Sequence, residues 1–414
     1  MFLHKKASKP TKKALVLPLK FQIGTTSEDL RNTYNVEITD NGLHTRFNQS
    51  VLKFPAPLHY AVGTLDDHVY VMTSKGLCSK VNDTNWIFMV KKDGDVCSTV
   101  YRDNLIVSGK DYGTYLVKEY EATSLHDDGF SSVTCCADRI FGLYKNQVSY
   151  TAAGKADGWE QGQTVTLPSE CQALASVGNK VYALGNDCYM LVPDGSDLEF
   201  KVVPLARNVG AVAKKSVVNY LGAVVFATEN GLYKLSGEKV TPICRQLNEV
   251  AQFGVSAGAL FEGKYYLACV SKDSGEYVND VIMCIDINSE QIVGMLQYGA
   301  DSIVTTSKEI VTSNNGTCYS FGSGTYAAKY QVSNVDFATA DKKFLDKLVI
   351  KTSDKLDITV RSETETRVYR LREKSHPQKI FLRDMGWKFS INLYSQSGLD
   401  VQDVTLYAHT CEEV

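Results

Sequence analysis

Residues 180–192 read KVYALGNDCYMLV, two short apolar runs on either side of a Gly-Asn-Asp turn. In the first run, Val181 and Ala183 alternate with Tyr182 and Leu184, as they would on the two faces of a β-strand. Turn residues that tolerate positive φ, set between two β-rich runs, indicate a hairpin. A lone hairpin is marginal in water because it cannot bury its own apolar face. The stretch therefore predicts one part of a larger all-β structure.

The same unit of strand, turn and strand returns along most of the chain, every 35 to 45 residues or so, about the length of one four-stranded blade of a β-propeller. Neighbouring blades cover each other's faces, so the ring must close. The first strands of the units cover residues 68–72, 104–107, 139–143, 180–184, 223–227, 264–268 and 309–312, and a further short strand often precedes the unit. The count is about seven, and six blades is an alternative because the first unit could share strands with the N-terminal segment.

The pattern changes near Gly322-Ser323-Gly324, which we interpret as a linker or blade-end turn. From residue 326 onward the runs are longer and alternate apolar with polar residues, which is typical of sheets with one packed and one wet face. The predicted fold is an all-β chain with a six- or seven-bladed β-propeller and a small C-terminal β-sandwich. The predicted domains are a basic N-terminal arm (1–20), the propeller with its lead-in strand (21–325) and the sandwich (326–414).

Composition limits the partners that we expect. The net charge of −3 gives no global attraction to nucleic acid or to an anionic membrane, and no apolar run approaches the length of a membrane span. Residues 1–20 hold six lysines and no acid, which favours a solvated arm over an arm that docks on an acidic subunit. The start of the chain lacks the apolar stretch of a secretory signal. We therefore expect no specific nucleic acid and no membrane span.

The eleven cysteines are scattered, and several fall inside apolar strand patterns. That placement is typical of free thiols that act as small core residues in a reducing cytosol. No pair of C-x-x-C knuckles is present, so a structural zinc site is not expected. The cysteines placed within strands are Cys136, Cys188, Cys244, Cys269 and Cys284.

Known catalytic and cofactor motifs are missing from the sequence. The seven histidines show no metal-ligand spacing, and there is no nucleophile elbow or phosphate-binding Walker loop. His59 and His68 are interpreted as packed or surface residues. The acid pairs Asp66-Asp67 and Asp127-Asp128 are better explained as solvated turns than as the separated carboxylates of a glycosidase. We therefore expect no enzyme, and assign no catalytic, cofactor-binding or metal site.

Three further features have a structural and a functional interpretation. Residues 194–197 (DGSD) faintly resemble a calcium loop but lack its closing glutamate. Trp86 and Trp159 are expected in connections, where an aromatic ring either fills a gap between blades or stacks on a sugar or a partner protein. The basic residues between 361 and 374 alternate with glutamates, so we interpret them as paired charges on a solvated sheet face before a polyanion site.

Four stretches resemble a family of bacteriophage β-propeller tail proteins, the stabilisation and tail-nozzle proteins of short-tailed phages. They are residues 30–38 (LRNTYNVEI) with 42–47 (GLHTRF); 149–151 with 157–159 (DGW) and 166–168 (TLP); 216–218 with 224–233 (VVFATENGLY); and 358–362 (ITVRS) with 386–391 (GWKFSI). The resemblance implies a structural virion protein of the tail or head–tail region. It further implies several copies around the tail axis and contacts with other tail or connector proteins, the sandwich making contacts with neighbouring subunits.

Two other functions stay open at this stage. A carbohydrate-binding adhesin or receptor-binding propeller would use exposed aromatic rings on its loops to hold a host surface glycan. A propeller glycosidase would need convergent carboxylates at the axial mouth. A glycan array separates the first of these from the tail component, and the axial lining separates the second.

Overall fold

The computed structural model describes residues 13–22, 29, 32–45, 47–54, 56–80, 85–159, 163–194, 196–272, 274–275, 277–323, 327–372 and 376–411. This part of the chain is all-β, with 3-10 helices at Lys214–Ser216 and Arg245–Glu249. The backbone divides into two units. The blade unit contains residues 48–291 and 297–323, and the C-terminal unit contains residues 1–47, 292–296 and 324–414. None of the helices in the described ranges is long and apolar enough to cross a membrane.

The blade unit repeats one antiparallel sheet, and the sheets are numbered here as blades in chain order. Their strands are Leu58–Leu65, His68–Thr73, Gly76–Lys80 and Trp86–Val90 in blade 1; Cys97–Tyr101, Asn104–Gly109, Gly113–Lys118 and Glu121–His126 in blade 2; Ser132–Cys136, Arg139–Tyr144, Gln147–Tyr150 and Thr164–Thr166 in blade 3; Ala173–Val177, Lys180–Leu184, Cys188–Asp194 and Ser196–Ala206 in blade 4; Val218–Tyr220, Ala223–Thr228, Gly231–Ser236 and Lys239–Ile243 in blade 5; Ala251–Phe261, Lys264–Ser271 and Val281–Asp286 in blade 6; and Ser302–Thr305, Ile310–Asn314, Thr317–Ser323 and Phe47–Leu52 in blade 7. The predicted propeller-like repeat of β-blades is confirmed.

Each predicted hairpin forms the second and third strands of a blade, and the short strand before it is the first, or inner, strand. The stretch 180–192 is the central hairpin of blade 4, with Val181 paired to Leu191 and Ala183 paired to Tyr189. The inner strand of each blade contacts that of the next blade, and the inner strand of blade 7 contacts that of blade 1.

Serine and threonine side chains join neighbouring inner strands. The Ser98 hydroxyl donates to the Val62 carbonyl at 2.8 Å, and the Thr305 hydroxyl donates to the Leu260 carbonyl at 3.0 Å. Two more serine hydroxyls accept from backbone N–H groups of the neighbouring blade, Ser132 from Leu174 at 2.9 Å and Ser302 from Ala61 at 3.0 Å. These bonds satisfy buried backbone groups that the sheet ladders do not reach.

Apolar clusters fill the space between successive blades, because a central strand buries both of its faces. Tyr150 and Tyr189, two of the tyrosines that recur along the predicted repeats, pack with Phe141 between blades 3 and 4. Phe226 of blade 5 is fully buried in the cluster that it shares with blade 4. Burial also raises the thiol pKa of Cys136 and Cys188 to about 11, so both thiols stay protonated at neutral pH.

The first and last blades of the unit are joined by a strand and by a side chain. Phe47–Leu52, from the start of the unit, is the outer strand of blade 7 beside Thr317–Ser323. Asp67, in the first hairpin of blade 1, accepts the backbone N–H of Ser307 at 2.7 Å and its hydroxyl at 2.6 Å, across 240 residues of sequence. Both contacts bring opposite ends of the blade unit together.

The C-terminal unit contains two antiparallel sheets. One sheet has the order Gln291–Leu296, Val36–Thr39, Gly42–His44, Asp400–Thr410, Lys343–Thr352 and Gln378–Gly386, with Ala14–Pro18 also paired to Asp400–Thr410. The other has the order Ala328–Val335, Phe389–Ser395, Leu356–Arg361 and Thr366–Leu371. Buried and exposed positions alternate regularly along Gln378–Gly386, as the sequence pattern predicts for strands with one wet face.

Three expectations about this unit need correction. Residues 1–12 lie outside the described ranges, but Ala14–Pro18 forms an edge strand and not a solvated arm, because its backbone completes the ladder of Asp400–Thr410. The lead-in strands Val36–Thr39 and Gly42–His44 belong to the C-terminal unit and not to the propeller. The alternating run 387–393 predicts a strand that starts at Trp387, but Trp387 lies in the turn between Gln378–Gly386 and Phe389–Ser395.

Candidate functional site

A candidate site lies in the blade unit, at the ends of the blades where the inner strands begin. A pocket of about 820 Å³ is lined there by residues of blades 2 to 7 and their connections. Pockets of 300–1,000 Å³ are typical of small-molecule sites. Its polar and charged lining includes Lys110, Lys145, Glu170, Lys214, Lys215, Ser256, Asn279 and Asp301.

Two adjacent lysines project from the 3-10 helix Lys214–Ser216 between blades 4 and 5. The helix is fixed by Ser216, whose hydroxyl donates to the Ala213 carbonyl at 2.7 Å and accepts the Ala227 N–H at 2.8 Å. The Tyr265 hydroxyl donates to the Ser216 carbonyl at 2.6 Å. Bonds from blades 5 and 6 therefore hold the backbone that carries the lysine pair.

The two ammonium groups have different environments. Lys214 forms an ion pair with Asp95 at 2.6 Å. Lys215 donates to the Asp301 carbonyl at 3.3 Å and stands 4.5 Å from the centre of the Tyr60 ring. Burial lowers the pKa of Lys215 because water is displaced from its charge. A partly desolvated cation of this kind favours an anionic ligand.

Another part of the lining comes from blade 6 and from its loop after Ser271. The Asn279 amide donates to the Val255 carbonyl at 2.9 Å and to the Ala300 carbonyl at 2.8 Å. Within the described residues, the Asn279 amide oxygen and the buried Ser256 hydroxyl have no hydrogen-bond partner. Tyr277, on the same loop, is 74 % exposed and also lines the pocket.

A second cavity, of about 430 Å³, is lined by residues from the inner strands of all blades. The side chains of Lys214 and Lys215 line both cavities, so the lysine pair stands where the pocket meets the space between the inner strands. The pair was not singled out in the sequence. A signal was present, since Lys214-Lys215 interrupts an otherwise apolar run just before an inner strand.

The acid pairs named from the sequence do not belong to this site, as far as the described lining shows. Asp66 and Asp67 both have positive φ in a hairpin turn, and the hydrogen bonds from Ser307 hold the pKa of Asp67 below its usual value. Asp128 lies in a connection, where its N–H donates to His126 at 3.1 Å. The carboxylates that do line the pocket are Glu170 and Asp301.

Other residues named from the sequence have structural environments. Asp194 and Ser196 pair across a hairpin, and residue 195 lies outside the described ranges. His59 stands 3.7 Å from Asp93 on the surface, and His68 packs edge-on against Tyr120. All eleven cysteines are free thiols. In the part of the chain that the structure describes, no group of three His, Cys, Asp or Glu side chains is placed to hold a metal ion.

The tryptophans are placed differently from the prediction. Trp86 begins a strand of blade 1 and its ring lies 4.5 Å from Phe54, so its expected position in a connection is wrong. Trp159 lies in a connection, where it stacks on Phe130 at 4.8 Å and fills space between blades. Trp387, in the C-terminal unit, is 46 % exposed.

Trp387 belongs to an exposed face of the large sheet in the C-terminal unit, which we call the aromatic face: Val16, Met385, Phe381, Trp387 and Tyr407. Strand pairing places Phe381 beside Lys347, Lys347 beside Tyr407, and Tyr407 beside Val16. Phe381 is 75 % exposed and Val16 is 58 % exposed. Exposed apolar side chains grouped with lysines on a wet sheet face are typical of interaction surfaces.

Hydrogen bonds with Lys343 and Glu363 hold the backbone of the turn that carries Trp387. The buried Lys343 ammonium donates to the Trp387 carbonyl at 2.7 Å, and burial lowers the pKa of Lys343. The Glu363 carboxylate accepts the N–H groups of Trp387 at 3.3 Å and Lys388 at 2.8 Å. The Lys342 ammonium stands 4.8 Å from the Trp387 ring centre. The indole is therefore presented by a fixed backbone.

Comparisons with known proteins give a fold likeness. No family model and no curated protein matches the chain. A chain in the crystal structure of a mitotic checkpoint complex is similar at 9% identity, with a TM-score of 0.48, over 69% of this chain and 95% of that chain. A fungal alcohol oxidase of the AA5 family, in complex with copper, is similar at 11% identity, with a TM-score of 0.47, over 87% of this chain and 99% of the oxidase.

The oxidase corrects one prediction. The expectation that the chain is not an enzyme is withdrawn, because one of the structures that the chain resembles is that of an enzyme. At this identity and TM-score the likeness assigns no reaction. The resemblance to phage tail proteins is not tested by these comparisons and stays a prediction.

Proposed function

We propose that the chain is a structural protein of the tail or head–tail region of a short-tailed bacteriophage, made in the host cytoplasm and incorporated into the virion. It acts by contacts with other tail or connector proteins. The observation that supports this function best is the aromatic face, because Trp, Phe and Met, the types of its exposed residues Trp387, Phe381 and Met385, are enriched at protein interfaces.

The finer architecture is part of the same proposal. The cyclic contacts of the inner strands support a seven-bladed β-propeller, closed by pairing Phe47–Leu52 with Thr317–Ser323. The sheets of the C-terminal unit form a β-sandwich, supported by the alternating burial of their strands. The propeller is then the rigid body and the sandwich supplies the contact surface.

The charges around the aromatic face favour an acidic partner. Lys342 and Lys347 stand over rings of the face, and Lys379 and Arg383 occupy exposed positions of the Phe381 strand. The nearby Asp346 carboxylate is bonded to His409 at 2.9 Å. The proposed occupant is therefore an acidic surface of another tail protein. A two-fold contact with a second copy would place like charges opposite each other.

Gold labelling of phage particles tests this proposal. Particles carrying a tagged chain should show label on the tail in negative stain, and Phe381→Asp should remove the label because a carboxylate replaces the central apolar contact. Val368→Asp is the matched control, since Val368 is a 57 % exposed apolar residue on the other sheet. Absence of label on every tail would refute the tail assignment. Label that survives Phe381→Asp would refute the aromatic face as the contact.

A further inference from the structure

The pocket of the blade unit combines groups that a structural connector does not require. Lys214, which is also paired with Asp95, and Lys215 supply positive charge, while Ser256 and Asn279 have polar atoms without protein partners in the described chain. Ser256 is 2 % exposed and Asn279 is 5 % exposed. A buried polar atom without a partner destabilises a folded protein, which favours a ligand or water that satisfies it.

The pocket lining contains both lysines and carboxylates, and this mixture limits the kinds of ligand that the pocket can bind. Glu170 and Asp301 would repel a multiply charged anion such as phosphate. The same carboxylates, with the Asn279 amide oxygen, accept hydrogen bonds from hydroxyl groups. A ligand that carries a single anionic group and several hydroxyls satisfies the lysine pair and the acceptors together.

The apolar part of the lining agrees with a ring-shaped ligand. Tyr277 stands on the loop at the rim, and Val255 and Val278 are exposed beside it. Sugars bind to proteins through hydroxyl hydrogen bonds together with packing of a C–H face on an aromatic ring. A volume of about 820 Å³ holds a ligand of this size.

We propose that the pocket at the inner-strand ends of the blade unit binds an acidic saccharide, with the sugar carboxylate at Lys214 and Lys215 and sugar hydroxyls at Ser256 and Asn279. The site is separate from the aromatic face of the C-terminal unit. Failure of one proposal therefore leaves the other intact.

Calorimetric titration of the full chain with three probes tests the site. D-Glucuronate carries both the carboxylate and the hydroxyls, D-glucose carries only the hydroxyls, and acetate carries only the charge. Since a hydrogen bond to a charged group contributes about 1.5–3 kcal/mol, glucuronate should bind about tenfold or more tightly than glucose. Equal affinity for glucuronate and glucose, or for glucuronate and acetate, would overturn the proposal.

Variants locate the binding. Lys214→Gln with Lys215→Gln should weaken glucuronate about tenfold or more and bring it to the affinity of glucose. Ser256→Ala should weaken glucuronate about three- to tenfold and leave acetate unchanged. Lys308→Gln, at an exposed lysine outside the described lining, is the matched control and should change nothing.

Tyr277→Ala protects the test against misfolding, since this exposed side chain adds little to the core. It should weaken glucuronate about three- to tenfold through loss of ring packing. Glucuronate binding that survives in the double lysine variant, or is lost equally in Lys308→Gln, would place the sugar elsewhere and refute the proposed site.

Discussion

Strands of the blade unit and of the C-terminal unit form the same kind of antiparallel hydrogen-bond ladder, but they differ in how many of their two faces are buried. All six residues of Ala223–Thr228 are buried, whereas Gln378–Gly386 buries every second residue and exposes the others. A blade strand has apolar neighbours on both faces, but the C-terminal strand has them on one. The same residue type, phenylalanine, is therefore a core residue at 226 and a surface residue at 381.

This difference in strand burial indicates which part of each unit is open to a ligand or partner. Because the central blade strands bury both faces, the blade unit can bind a ligand only at its strand ends and loops. The pocket with Lys214 and Lys215 lies at these ends. A wet sheet face gives the C-terminal unit a broad contact surface, and the aromatic face occupies it. We expect ligands of small size at the first site and macromolecular partners at the second.

The strongest test of this contrast is a pair of truncations. Phe226→Ala should lower the free energy of unfolding by about 3–5 kcal/mol, because it leaves a cavity in a fully packed cluster. Phe381→Ala should change the free energy of unfolding by less than about 0.5 kcal/mol. Urea denaturation followed by circular dichroism measures both. Equal losses would mean that the Phe381 face is covered within the chain.

A pair of glycine substitutions should differ for a related reason. A Cβ at Gly129, in the connection between blades 2 and 3, would lie 1.6 Å from the Gly109 carbonyl oxygen, so the backbone must move. Gly129→Ala should therefore destabilise by about 1–3 kcal/mol. A Cβ at Gly386 meets the Glu363 carboxylate at 2.5 Å, the far end of a flexible side chain. Thermal unfolding should show a smaller loss for Gly386→Ala, and the reverse order would contradict the argument.

Asp384 provides a pH test in the C-terminal unit. Burial raises the pKa of its carboxyl above 3.8, although the Tyr369 hydroxyl donates to it at 3.1 Å and Arg367 stands 3.4 Å away. The folded state then binds more protons than the unfolded state above pH 3.8, so stability falls as pH rises through the folded pKa. Asp384→Asn should remove that fall. Unfolding measured against pH, with Asp357→Asn as control, decides the point.

The smallest effect is expected for an exposed ion pair between blades. Arg102 and Asp138 bond through two nitrogen–oxygen contacts, at 2.9 and 2.6 Å, and the hydrogen bonds lower the pKa of Asp138. Its contribution is present above pH 3.8 and is lost as pH falls through the folded pKa. Asp138→Asn should cause a small loss of stability that disappears in 1 M salt or thereabouts, because exposed pairs are screened. A loss that persists in salt would indicate a packing role.

The hairpin repeat could be predicted because its signal is local. Each unit carries two β-rich runs with a turn between them, and residues 180–192 form the expected hairpin. The extent of the C-terminal unit could not be predicted in this way. Val36–Thr39 pairs locally with Gly42–His44. The assignment of this hairpin to the C-terminal unit depends on pairing with residues far along the chain, as between Leu43 and Val401.

The candidate sites were missed for a similar reason. The Lys215 ammonium contacts the Tyr60 ring and the Asp301 carbonyl. Both residues are distant in sequence, so no local pattern predicts this environment. The aromatic face is formed by single residues from different strands, and alternation alone does not show which wet face is apolar. Trp86 and Trp159, the tryptophans that the sequence favours as contact residues, pack inside the blade unit, whereas no local pattern distinguishes the exposed Trp387.

The strand Phe47–Leu52 has a consequence for how the chain is made. Its partner Thr317–Ser323 is translated only after blades 1 to 6, and at roughly 5–20 residues per second the ribosome needs on the order of 10–50 s to reach it. Until then an unpaired sheet edge is open to pairing with other nascent chains. We therefore expect slow translation to lengthen this exposure, and a circular permutant that begins after Phe47–Leu52 to shorten the interval between synthesis of the two strands.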